Sequence, residues 1–150
     1  MSDINNSSTL ARRLREELQG EVLFDRFNRG RYSTDASIYQ LMPIGVVLPK
    51  SDDDVEAAIK IAKEEGIPVL PRGSGTSQNG QAIGEALLID TTRHLNQIID
   101  FDRENQTACV QPGLVLDHLN RYLKPHGLFY PVDVSTANRA TLGGLSLIHI

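Results

Sequence analysis

Between Ile44 and Leu70 the chain sets out a strand, a capped helix and a second strand in close succession. Gly45-Val46-Val47-Leu48-Pro49 is an apolar run closed by proline, as expected of a short buried strand. Ser51 stands at a helix N-cap position, and Asp52, Asp53 and Asp54 fill a first turn where the helix dipole favours carboxylates. Val55, Ala58, Ile59 and Ala62 recur at helical spacing and predict the buried face. Gly66 supplies a left-handed stop, and Pro68 lies just beyond it. The strand Ile67 to Leu70 follows at once. The pattern predicts a βαβ unit with parallel strands and a right-handed crossover.

The flanking regions are less sharply patterned. Leu10, Leu14 and Leu18 form an apolar stripe on a short helix, capped by Ser8 or Thr9 and ending at Gly20. Residues 21–43 read as turns anchored by Phe24, Phe27, Tyr32 and Tyr39. Further on, 86–90, 98–101 and 107–111 read as strands, the last two joined by a hairpin turn at 103–106. Leu114 to Leu123 reads as a helix with Leu116, Leu119 and Leu123 inward. The fold class expected is α+β, a small parallel βαβ subdomain followed by the start of an antiparallel one.

The loop after the second strand carries the chemistry. It runs Pro71-Arg72-Gly73-Ser74-Gly75-Thr76-Ser77-Gln78-Asn79-Gly80-Gln81. Gly73 and Gly75 permit positive φ and clear space for close approach. Successive backbone N–H groups then face one concavity, a nest for anionic oxygens. Thr76 and Ser77 add hydroxyls and Arg72 a guanidinium, a donor set suited to a diphosphate. A P-loop is excluded, because no Lys-Ser or Lys-Thr follows at the required spacing. The Rossmann fingerprint is excluded by the missing third glycine. From the loop alone, a plain flexible turn stays open. A second small-residue stretch, Pro131 to Thr136 leading into Ala140-Thr141-Leu142-Gly143-Gly144, offers a partner loop for one extended, phosphate-bearing ligand.

These motifs, in this order, resemble the FAD-binding domain of the vanillyl-alcohol oxidase / p-cresol methylhydroxylase family over roughly residues 36–144. Val110-Gln111-Pro112-Gly113 is similar to the family's V-x-P-G turn. Pro131 to Thr136 is similar to its P-x-D-P-S-S loop, with Val134 in place of a proline, and Ala140 to Gly144 to its A-T-x-G-G. The resemblance implies a PCMH-type FAD-binding domain. It implies cofactor contacts from Arg72, Gly73, Ser74, Gly75, Thr76, Ser77, Gln81, Pro131, Asp133, Ser135, Thr141, Gly143 and Gly144. Thr76 stands where some members carry a histidine bonded to the flavin, so a non-covalent FAD is expected.

The stretch Phe24 to Ser37 is similar to the start of large bacterial flavoproteins related to D-lactate and D-2-hydroxyglutarate dehydrogenases. Those proteins join this domain to a C-terminal iron–sulfur domain. The implied function is oxidation of a small 2-hydroxy acid with transfer of electrons to an acceptor. Substrate-binding residues, and any iron–sulfur cluster, are expected outside these residues, so no catalytic residue is named. A truncated nucleotide-binding domain without turnover is the alternative.

Composition bounds the rest. At 150 residues the chain is long enough for one core but too short for a flavin half plus a substrate half. A net charge of -4 argues against nucleic acid as a partner. No apolar run reaches the roughly 20 residues of a membrane span, and a cytoplasmic location is the default expectation. Cys109, the single cysteine, is expected to be buried and structural. No Cys or His cluster suggests a metal site. His94 is expected in a surface turn, His118 facing solvent and His126 capping a helix; Asp133 is expected to bond backbone within its loop. The expected organisation is a lead-in over 1–35, a partial FAD-binding domain over 36–144 and a non-native tail over 145–150. The tail reading rests on Leu145-Ser146-Leu147-Ile148-His149-Ile150, which matches a translated transposase adapter. Gly75→Val is expected to block FAD binding with little loss of fold.

Overall fold

The computed structural model describes residues 2–145, with the side chains of residues 2–8 excepted. The elements in chain order are α1 (Ser2–Glu17), β1 (Glu21–Leu23), α2 (Arg26–Arg31), β2 (Gly45–Leu48), α3 (Asp52–Glu64), β3 (Val69–Arg72), β4 (Leu87–Asp90), β5 (Ile98–Asp102), β6 (Thr107–Val110), α4 (Leu116–Leu123), and α5 (Leu142–Leu145). A 3-10 turn, Lys124–His126, follows α4.

The first sheet has strand order β1-β2-β4-β3. β4 is parallel to both β2 and β3, and β1 is antiparallel to β2. The two strands of the expected βαβ unit are therefore parallel but not adjacent. β4 lies between them and, like β2, is buried on every residue, as a strand covered on both faces is. Alternation assigns the faces. Val47, Leu87 and Ile89 meet Leu10, Leu14 and Leu18 of the α1 side and Ala58, Ile61 and Ala62 of α3. Val46, Leu48 and Leu88 turn the other way, toward Leu23, Tyr32 and Leu70.

α3 forms as its sequence predicts. Ser51 Oγ accepts from the Asp54 amide at 3.2 Å, and Gly66 closes the end at φ 67°. Its buried face differs by one position, because Ile61 is inside while Ile59 is 47% exposed. Asp54 is buried too. Its carboxylate accepts from the amides of Gln19 and Lys50, both at 2.8 Å. It ties three chain segments together at the helix start. Arg13 fastens α1 to α3 through Glu64 and Glu65, each at 2.6 Å.

The second, two-stranded sheet pairs β5 with β6 antiparallel. Leu114, Leu119 and Leu123 pack beneath it against Ile98, Phe101 and Val110. The hairpin turn is held by Asp102, whose Oδ1 accepts from the Glu104 and Asn105 amides at 2.9 and 3.0 Å.

Several local expectations are corrected. α1 runs from Ser2 and is not capped at Ser8 or Thr9; it ends at Glu17. Residues 21–43 hold a strand and a helix, and Phe27 and Tyr39 are 77% and 57% exposed, so neither is an anchor. Cys109 is exposed, since a two-stranded hairpin covers only one of its faces. His126 does lie in the last turn before Gly127, as expected, and its ring also meets Phe101, tilted at 45° with centroids 4.8 Å apart. His94 lies in a turn, as expected, and shares Glu21 with Arg93, at 3.2 Å. Leu145 is buried at the end of α5, and residues 146–150 of the expected tail lie outside the described residues. No helix among the described residues is long and apolar enough to cross a membrane. None of their His, Cys, Asp and Glu side chains form a group suited to a metal ion.

Candidate functional site

The glycine-rich loop leaves β3 at Arg72 and faces the segment before α5 across a cleft of about 580 Å³. Gly73, Ser74, Gly75, Thr76, Ser77 and Gln81 line one side; Ser135, Thr141 and Gly144 line the other. Nine of the residues expected from sequence thus meet in one concavity, although the two stretches are far apart in the chain. The far wall is held by backbone bonds. Leu116 N donates to Ala140 O at 3.0 Å, Leu142 N to Leu114 O at 2.9 Å, and Gly143 N to Pro112 O at 2.9 Å. The two walls touch where Ser74 Oγ donates to the Arg139 carbonyl.

The two glycines act differently. Gly75 has φ 69° and needs its conformational freedom. Gly73 does not have positive φ; instead a Cβ there would collide with Thr141 Oγ1. Its missing side chain is what lets the two walls approach.

The donors of the cleft are largely unspent. The backbone amides of Ser74, Gly75, Thr76 and Ser77 donate to no backbone or side-chain acceptor among the described residues. Thr141 is 3% exposed, and its Oγ1 is buried without a hydrogen-bond partner. A buried hydroxyl of this kind costs about 1–3 kcal/mol unless something satisfies it. Unspent amides beside an orphaned hydroxyl, in a cradle cleared of Cβ atoms, suit an anionic, oxygen-rich ligand group. The Ser77 hydroxyl is engaged with Gln81 Oε1 at 2.7 Å.

Other expected contacts lie elsewhere. The Arg72 guanidinium donates to the carbonyls of Tyr32, Thr34 and Ala82 at 3.3, 2.9 and 2.8 Å, behind the loop. Burial draws its pKa below the usual arginine range, against the pull of Asp90, Tyr32 and Asp35. Pro131 and Gly143 border a second cavity of about 680 Å³, whose walls include Phe101, Val110, Leu119, Leu123 and Leu128. Hydrocarbon side chains dominate its walls, whereas hydroxyls and glycine amides line the cleft, so it is the poorer match for a charged group. Asp133 is exposed and makes no side-chain bond among the described residues, contrary to its expected backbone role. Val134, Thr136, Ala140, Gln78 and Ala82 also line the cleft. The first four lie within the stretches singled out from sequence, though not among the expected contacts, and Ala82 directly follows the first stretch.

A protein-family model described as an FAD binding domain matches residues 43–148. The chain belongs to this FAD-binding domain family. The chain is 43% identical over 129 residues to D-2-hydroxyglutarate dehydrogenase of Escherichia coli (strain K12), covering 84% of this chain and 13% of the relative. It is 40% identical over 132 residues to glycolate oxidase subunit GlcD of Bacillus subtilis (strain 168), covering 85% of this chain and 28% of that protein. Solved structures share the fold. An alkyldihydroxyacetonephosphate synthase superposes with a TM-score of 0.80 at 24% identity, over 91% of this chain and 30% of that one. A p-cresol methylhydroxylase with substrate bound gives 0.71 at 19% identity, over 91% and 28%. The α+β, PCMH-type architecture is therefore confirmed. The chain spans about 13% of the length of the D-2-hydroxyglutarate dehydrogenase it matches.

Proposed function

We propose that this domain holds the diphosphate of a non-covalently bound FAD between residues 73–77 and 135–144, and serves an oxidoreductase acting on a small 2-hydroxy acid of the D-2-hydroxyglutarate type. The observation that carries the reading is the orphaned Thr141 hydroxyl packed against Gly73, beside the unspent amides of the cleft. The substrate class rests on the dehydrogenase and glycolate oxidase relatives. An electron acceptor is required by the same chemistry.

When bound, the flavin supplies the two-electron redox chemistry. The chain's own part is binding and orientation. No described side chain lining the cleft is ionisable, so among the described residues these walls offer no general acid or base. They hold charge with neutral dipoles, each hydrogen bond contributing about 0.5–1.5 kcal/mol net. Binding without turnover is thus the expected behaviour of these residues alone, with proton transfer and substrate contacts supplied from outside them. Thr76 offers no imidazole for a bond to the flavin, so heating is expected to release the chromophore intact, which the absorption spectrum of the supernatant checks. Residues 36–144 are the proposed extent of the FAD-binding unit, with 1–35 as its lead-in.

Thr141→Val separates binding from folding. The substitution keeps the shape and removes a buried, unpaired hydroxyl. It is expected to leave the ligand-free chain as stable or more stable, and to weaken FAD about fivefold, one lost hydrogen bond being worth about 1 kcal/mol. Flavin fluorescence titration and thermal unfolding measure the two effects. Unchanged FAD affinity in this variant contradicts the assignment of Thr141.

A further inference from the structure

We infer that Arg72 is a positioning residue, and that with Asp35 it clamps the lead-in segment 32–36 behind the Gly73–Ser77 loop, making that segment a working part of the cofactor site. The inference rests on the proposed diphosphate site. It extends that site beyond the cleft, and beyond the region matched by the family, which begins at residue 43.

The bonds form a closed set. Arg72 reaches three carbonyls, two of them on the lead-in at Tyr32 and Thr34 and one on the loop's return at Ala82. Its guanidinium also lies over the Tyr32 ring, 5.3 Å from the centroid. Asp35 spans the same gap from the other side, accepting from the Ser37 amide at 2.8 Å and the Ala82 amide at 3.3 Å. Ala36, the residue that follows the lead-in, donates its amide N–H to Gly75 O at 3.0 Å, so the glycine with positive φ is pinned directly by segment 32–36. Tyr32 is held in turn by Asp90, which its hydroxyl meets at 2.8 Å. Asp90 is 6% exposed and also accepts from the Thr92 amide and hydroxyl at 2.8 and 2.7 Å.

The physical reason is loop entropy. A segment with two glycines and few apolar contacts is costly to order when a ligand arrives. Fixing it beforehand from behind leaves its front amides free for the ligand. Arginine suits the task because its planar fork carries five donors in fixed directions. A lysine at the same place has one compact donor head and cannot reach three diverging carbonyls. The arrangement also sets a positive charge against the back of Gly75, where a Cβ would meet Arg72 Nη2.

The test uses the whole chain in three forms, unaltered, Arg72→Lys and Asp35→Asn. Two quantities are read, the FAD dissociation constant by flavin fluorescence and amide exchange by NMR without ligand. The expected result for Arg72→Lys is FAD binding weakened about tenfold or more, with the Ala36 amide exchanging about tenfold faster before any ligand is added. Core amides of β2 and β4 keep their protection. Asp35→Asn, whose side chain lies outside the cleft, shifts both quantities the same way by a smaller factor, and it carries the test if Arg72→Lys does not fold. Weakened FAD with unchanged Ala36 exchange overturns the inference and makes Arg72 a direct ligand. Faster exchange with unchanged FAD affinity overturns it as well. Failure of the unaltered chain to bind FAD removes the proposed site itself, and the inference with it.

Discussion

Gly75→Val is expected to abolish measurable FAD binding and to lower the chain's stability by about 1–3 kcal/mol. Gly75 sits at φ 69°, a region that a β-branched residue enters only under strain. A side chain there also presses on Arg72 Nη2. The guanidinium can yield only by giving up its carbonyl partners, which loosens the loop it braces. Loss of FAD affinity by 100-fold or more corresponds to about 2.7 kcal/mol. The expectation from sequence, blocked binding with little loss of fold, is therefore revised, because the same glycine serves the cofactor and the backbone. Gly30→Ala is the control. Gly30 lies in α2 with open space around its Cα, so alanine there leaves FAD binding unchanged and adds about 0.5–1 kcal/mol of helix stability. Equal losses in both variants exclude a specific role for Gly75.

Asp54→Ala is the largest stability change expected away from the cleft, about 2–4 kcal/mol. The buried carboxylate accepts from Gln19 and Lys50, and removing it leaves two amides without partners in a packed region. At the scale of a 150-residue chain this lowers the unfolding midpoint by about 10 °C. Asp53→Ala, one residue earlier and exposed, stays within about 0.5 kcal/mol. Thermal unfolding followed by circular dichroism compares the two. Similar midpoints contradict the view that Asp54 joins α1, β2 and α3.

What could be read from sequence follows the range of the forces involved. Ser51, the acidic first turn and Gly66 act within a few residues, and α3 formed between the limits they set. The apolar runs Gly45 to Leu48 and Leu87 to Asp90 marked buried strands, but nothing local fixes which strand lies beside which. The place of β4 between β2 and β3 is settled only by tertiary packing. Cys109 misled for a related reason. Alternation predicts one buried face, yet β6 has only the small hairpin sheet and α4 around it, and just Val110 reaches the core. In the cleft, Gly73 to Ser77 and Thr141 were legible because hydroxyls and glycines mark such loops. The clamp was not. Arg72 bonds to backbone carbonyls, which every residue carries, so its partners leave no trace in the identity of Tyr32, Thr34 or Ala82.

The most direct measurement is a titration of the isotope-labelled chain with FAD, followed amide by amide in a proton–nitrogen correlation spectrum. The largest shifts are predicted at Ser74, Gly75, Thr76 and Ser77, with a second group at Thr141 and Gly144 across the cleft. Shifts confined to Phe101, Leu119 and Leu123 around the apolar cavity, with residues 74–77 unmoved, would contradict the diphosphate site.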